Sequence, residues 1–233
     1  MRDFFDWLLP PGASTFVGEI DWLYNTILVI TTVAFVLVQA TLLWFLWRYR
    51  GRPGRRAVYT HGSLKAEYIW TSVTALVVAW LGLASAGGWR RIKSESGIPR
   101  DAIPMTIRAK QFEWHVTYPG TDGRIGGADD FSVRGQLHVP VNRPVVATLE
   151  AEDVIHSFFV PQWRIKQDAV PGMKIKVWFQ PTKTGTFELG CAELCGLGHY
   201  RMRAVVTVHT QEEYDRWVAG RRGAVALGQT GGN

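Results

Sequence analysis

Cysteine is scarce in this chain of 233 residues: Cys191 and Cys195 are the only two. A disulfide framework of the kind that staples small secreted domains is therefore excluded. No Cys-x-x-Cys-His run occurs, so there is no c-type haem attachment site in these residues. Charge is missing altogether from residues 23–47 and 68–89, and no comparable apolar run follows Arg90. There is no internal repeat. The acidic stretch TDGRIGGADD (121–130) lacks EF-hand spacing and reads as a solvated hairpin. Basic residues flank the apolar runs instead of alternating with aromatics, which excludes a nucleic-acid surface.

What remains is unevenly distributed. The stretch 23–47 has 25 residues and 68–89 has 22. At 1.5 Å per residue both are long enough to cross a hydrocarbon layer of about 30 Å. A buried core helix in a soluble protein is the alternative, and charge-free runs of this length count against it. Aromatics mark the boundaries: Trp22 and Tyr24, then Trp44, Trp47 and Tyr49, and for the second run Tyr68, Trp70 and Trp89. Ahead of the first run stands one arginine among more numerous acidic residues, so the basic start of a secretory signal is missing. The loop 48–67 carries Arg48, Arg50, Arg52, Arg55, Arg56 and Lys65 and is expected in the cytoplasm. A two-helix transmembrane hairpin over 23–89 follows. Segment 1–22 and everything after residue 90 are then extracytoplasmic.

After a linker over 90–102 the pattern changes to short alternating runs, among them MTIRAKQFEWHVTY, FSVRGQLHVP, RPVVATLEA, KIKVWFQPT, GTFELG and MRAVVTVHT. Turn signals separate them: Pro119-Gly120, Asp122-Gly123, Pro171-Gly172 and Thr184-Gly185. About a hundred residues of short strands predict an all-β Greek-key sandwich or barrel over 103–219. A terminal helix at 211–219 closes it, and the Gly-rich 220–233 reads as a flexible tail.

Both cysteines fall in CAELCGLGHYRM (191–202), with Glu193, His199 and Met202 around them. Three readings compete: a short disulfide, a mononuclear metal site, and a pair of bridging thiolates. A ring closed across three residues brings little stabilisation by loop closure. Thiolate, imidazole and thioether together form a copper-type donor set. His156, in DVIHS, is a further donor that a neighbouring loop could supply. A mononuclear blue-copper centre takes two His, one Cys and a weak Met, which leaves one cysteine over.

The order IHSFFVP, KQDAVPG, CAELCGLGHYRM, behind two spanning helices, resembles subunit II of haem-copper cytochrome c oxidases from about Leu23 to Trp217. The resemblance implies a cupredoxin-like domain holding a binuclear CuA centre. Cys191 and Cys195 would bridge the coppers, with His156 and His199 as terminal ligands. Met202 and the backbone carbonyl of Glu193 would bind weakly, and the Glu193 side chain would reach a magnesium ion shared with subunit I. AEYIWT resembles the start of the family's second helix, where Glu67 would mark a proton-path entrance. KQFEWHVTY resembles the family's aromatic segment for electron input. Phe112 stands where many members have tryptophan, with Trp114 two residues on.

The implied role is to take electrons from an external cytochrome c or a membrane-bound donor. They would pass to haem in subunit I, within a complex of further membrane subunits, for oxygen reduction. A CuA-bearing nitric oxide reductase would look much the same. The setting implied is a bacterial-type inner membrane, with the C-terminal domain on the periplasmic side.

Overall fold

A computed structural model describes residues 9–226, which divide into a helical unit (19–89) and a β unit formed by 9–18 and 90–226. Helix α1 runs Val17–Arg48 and α2 runs Leu64–Lys93. Within the helical unit the two approach closely: Trp22 meets Trp80 edge to face at 6.4 Å, and Gly88 is buried beside the Glu19 carboxylate. Ser63 accepts a hydrogen bond from the Ala66 N–H at 3.3 Å, capping the start of α2. No residue of α1 is buried, although 19 of its 32 residues are Leu, Val, Ile, Phe or Trp. Such a surface is stable in lipid, where the helix satisfies its own backbone.

The β unit pairs two five-stranded sheets. One has the order β3-β2-β1-β5-β8, the other β4-β10-β9-β6-β7. The first contains β1 (Ile103–Lys110), β2 (Glu113–Tyr118), β3 (Phe131–Arg134), β5 (Val145–Ala151) and β8 (Ile175–Phe179). The second contains β4 (Gln136–Pro140), β6 (His156–Val160), β7 (Ile165–Ala169), β9 (Gly185–Cys191) and β10 (Arg203–His209). β1 runs parallel to β5 and β4 parallel to β10, and the remaining pairs are antiparallel. Alternation sends Met105, Ile107 and Ala109 of β1 inward, against Leu137, Phe158, Leu189 and Val206 of the other sheet's inner face. This is the cupredoxin-like sandwich on a membrane hairpin.

Several boundaries differ from the sequence reading. MTIRAKQFEWHVTY is two strands, folded back at Gln111-Phe112 without glycine or proline. FSVRGQLHVP also divides, because Gly135 adopts φ 65° and sends β3 and β4 into different sheets. Strands β6 and β7 were not anticipated. The terminal helix α3 runs Gln211–Ala226, so the expected tail is helical from 220 to 226; the rest of it lies outside the described residues.

Residues 10–16 are more than a flank. Ala13 donates to the Gln162 carbonyl at 2.7 Å, and its own carbonyl accepts from the Thr182 N–H at 2.9 Å. Phe16 is buried edge-on against Trp178 at 4.6 Å. This strap covers the open margin beyond β8 and the turn after β6, where unpaired backbone would otherwise face water. Residues 1–8 of the expected N-terminal segment lie outside the described residues.

Candidate metal centre

Strands β6 and β9 are neighbours, with Phe158 opposite Cys191, so the start of one and the end of the other share one end of the sandwich. His156 opens β6 and Cys191 closes β9. The chain then loops through Glu193 and Cys195 and makes a single helical turn at His199–Arg201 before β10 begins. Two backbone bonds close that loop: Cys191 N–H to the Met202 carbonyl at 3.1 Å, and Ala192 N–H to the Ser157 carbonyl at 3.1 Å.

The donor atoms converge. Cys191 Sγ and Cys195 Sγ are 3.8 Å apart, far beyond a disulfide bond, and both cysteines are free. His156 Nδ1 lies 3.9 Å from Cys191 Sγ, and His199 Nδ1 lies 3.7 Å from Cys195 Sγ. Met202 Sδ is 3.7 Å from Cys195 Sγ, and the Glu193 carbonyl is 3.2 Å from Cys191 Sγ. A first-row metal binds thiolate at about 2.3 Å and imidazole at about 2.0 Å, which sets two tetrahedral donors about 3.5–3.8 Å apart. The spacings fit metal ligation, and His156, Cys191 and Cys195 form one tight cluster within it.

Neighbouring groups fix these donors. Asp153 Oδ1 accepts from His156 Nε2 at 2.8 Å, which turns Nδ1 toward the cysteines. Its other oxygen accepts from the Gln111 N–H at 2.7 Å, while Gln111 Nε2 donates to the Cys195 carbonyl at 2.6 Å. The β1–β2 turn thus ties the two ligand-bearing loops together. Burial alone would raise the Asp153 carboxyl, but hydrogen bonds from Gln111, His156 and Val154 outweigh it and hold the group below the usual range. Burial and the adjacent Cys191 push the Cys195 thiol up to about 11, so binding a metal there displaces a proton.

The aromatic residues separate. Phe112 is half-buried across Gly196 and Gly198; a side chain at Gly198 would collide with its ring. Trp114 is wholly buried, 6.3 Å from the His156 ring. Glu193 is exposed, and so is Glu67, in the first turn of α2 where a carboxylate complements the helix dipole. Glu67 belongs to the helical unit and the donors to the β unit. Sequence reasoning missed Asp153 and Gln111, although a carboxylate three residues before a ligand histidine was a readable signal. In the 121–130 loop, Asp129 and Asp130 accept from the backbone N–H groups of Thr121, Gly120 and Gly126, which makes the segment a self-capped turn.

A cupredoxin-like sandwich with a His/Cys/Cys cluster that could hold a metal ion, joined to two apolar helices of membrane-spanning length, is the architecture of a membrane-anchored electron-transfer subunit. Residues 116–209 match the periplasmic domain of cytochrome c oxidase subunit II, and residues 4–86 match its transmembrane domain. The alternative cytochrome c oxidase subunit 2 of Bradyrhizobium diazoefficiens is 34% identical over 238 residues, spanning 92% of this chain and 84% of that protein. Cytochrome c oxidase subunit 2 of Thermostichus vulcanus is 32% identical, spanning 90% and 77%. The solved periplasmic domain of subunit II from Bradyrhizobium japonicum is 27% identical with a TM-score of 0.48, covering 54% of this chain and 97% of that one. The chain belongs to the cytochrome c oxidase subunit II family.

Proposed function

We propose that this chain carries a binuclear copper centre and serves as the electron-input subunit of a respiratory haem-copper oxidase. It accepts single electrons from a cytochrome c-type donor outside the membrane and hands them to haem in subunit I, where oxygen is reduced. The observation that carries this reading is the convergence of His156, Cys191, Cys195, His199, Met202 and the Glu193 carbonyl at one end of the sandwich. Bound copper would supply a reversible one-electron couple suited to soft sulfur and imidazole donors. One cysteine beyond the needs of a mononuclear blue-copper site favours a bridged pair.

The chain's own residues supply rigidity. Cys191 is fixed by β9, His156 by β6 and Asp153, and Cys195 by Gln111, so little has to move when the charge of the site changes. Phe112 covers the loop at the partly exposed face and is the point of approach for a donor, while Trp114 backs His156 inside the core. The exposed Glu193 carboxylate is free to reach a magnesium ion held with subunit I. Glu67 faces the cytoplasmic side as a proton-path carboxylate. The setting is a bacterial-type inner membrane with the β unit on the periplasmic side.

The test uses the full-length chain, because Ala13 and Phe16 belong to the sandwich core. After copper loading in detergent, metal content and the EPR spectrum are measured. Two coppers per chain sharing one unpaired electron support the proposal. One copper with a single-nucleus pattern, or a copper-free oxidised Cys191–Cys195 pair, overturns it.

A further inference from the structure

Between Asp21 and Glu67 the sequence has no carboxylate, yet Arg48, Arg50, Arg52, Arg55 and Arg56 crowd into nine residues of it. A run of like charge ordinarily spreads into solvent. This one is folded back on itself. Arg55 N–H donates to the Arg52 carbonyl at 3.1 Å and Gly54 has φ 79°, which with Pro53 ahead of it makes a type II turn. The Arg55 guanidinium donates to the Arg48 carbonyl at 2.8 Å and lies over the Tyr49 ring at 5.4 Å. Arg48 stands over the same ring at 5.6 Å. The result is a cavity of about 700 Å³ lined by Tyr49, Arg50, Arg52, Arg55, Arg56 and Val58.

We propose that this arginine cradle binds the phosphate of an anionic phospholipid headgroup. Guanidinium forks match phosphate oxygens, and a cradle this rich in uncompensated charge calls for an anion. A lipid is favoured over a soluble anion by position. The cradle follows directly on the last turn of α1, at the depth of the headgroups. Exposed apolar side chains flank it along the chain: Leu43 and Leu46 on the last turns of α1, and Val58 and Tyr59 on the loop. A headgroup in the cradle would leave its acyl chains along those leucines. The positive-inside bias explains which side of the membrane the arginines occupy; it does not require them to fold around a cavity.

The test uses the full-length chain in its membrane complex, purified in detergent and stripped of lipid. Retention by native mass spectrometry and the melting temperature are measured with phosphatidylcholine alone, with phosphatidylglycerol added, and with inorganic phosphate. Phosphatidylglycerol is expected to be retained and to raise the melting temperature, while inorganic phosphate does neither. In Arg50→Gln/Arg52→Gln/Arg56→Gln, retention should weaken by about fivefold per arginine, roughly a hundredfold in all. Arg48, Arg55 and Lys65 remain to hold the turn and the membrane orientation. Equal retention in variant and parent overturns the site, and a phosphate effect as large as the lipid's overturns the lipid assignment. Should the variant fail to accumulate, the parent is tested in rising salt. Loss of phosphatidylglycerol but not phosphatidylcholine supports the cradle, and salt-independent retention refutes it.

Discussion

Met202 has two jobs that a single substitution can separate. Its side chain is buried in the sandwich, and its sulfur lies 3.7 Å from Cys195 Sγ. Leucine keeps the volume and the apolar contacts, at a cost of less than about 1.5 kcal/mol, but removes the thioether. In Met202→Leu the copper-free chain should melt within a few degrees of the parent, while bound copper shows an altered EPR spectrum and oxidase turnover falls. Unchanged spectrum and turnover would reduce Met202 to a packing residue. The candidate donor side chains were legible in the sequence because their chemistry is local: four of them, Cys191, Cys195, His199 and Met202, sit within a dozen residues. What fixes them was legible only in part: Asp153 stands three residues before His156, whereas Gln111 reaches Cys195 across 84 residues. Only the folded chain places a glutamine amide under a cysteine carbonyl.

Helix α3 shows how pairing between distant strands creates something no local pattern displays. His138 on β4 and His209 on β10 lie 71 residues apart in the sequence. Parallel register sets Thr207 opposite His138, and the two rings meet with Nδ1 to Nε2 at 2.8 Å. His138 Nε2 also lies 3.0 Å from Gln136 Oε1, and its ring stacks on Trp217 of α3 at 4.2 Å. Tyr214, Glu213 and Arg221 complete the surroundings from the helix. Burial, then His209 and Arg221, lower the His138 pKa to about 4, so the fold favours the neutral ring. A depressed base of this kind stabilises fully above its unfolded value of 6.5, and that stability is lost as pH falls through 4. Hydrogen exchange, corrected for its intrinsic pH dependence, should show α3 amides losing protection across that window before the strands do. His138→Gln should flatten the response. Protection that holds steady from pH 6.5 to 4 would break the link between the histidine pair and the helix. The strands carrying these residues were foreseen from alternation and turn glycines. The β1–β2 fold-back was not, because its turn lacks both glycine and proline.

The two spans were legible from absence of charge alone, but membrane sidedness needs the whole chain. Residues 10–16 pair with the β unit ahead of α1, and residues from Arg90 onward belong to the same unit after α2. A chain that leaves and rejoins one compact domain through two spanning helices must place the intervening loop across the membrane. Arg90, Arg91 and Lys93 stand at the outer end of α2, where the positive-inside rule disfavours cations. Lys93 is instead drawn into the β unit, donating to Gln167 Oε1 at 2.8 Å and the Lys166 carbonyl at 3.2 Å, with burial lowering its pKa. The Arg91 carbonyl accepts from the Trp178 indole at 3.1 Å. Lys93 is thus a structural partner of the sandwich, which leaves the arginine-rich 48–67 loop as the stronger topological signal. In right-side-out vesicles, trypsin should leave that loop intact. In inverted vesicles it should cut among the loop arginines and spare the β unit, as followed by antibodies to each end. Cleavage of the loop from the outer face would reverse the orientation, and with it the assignment of the metal centre to the side from which an external donor reaches it.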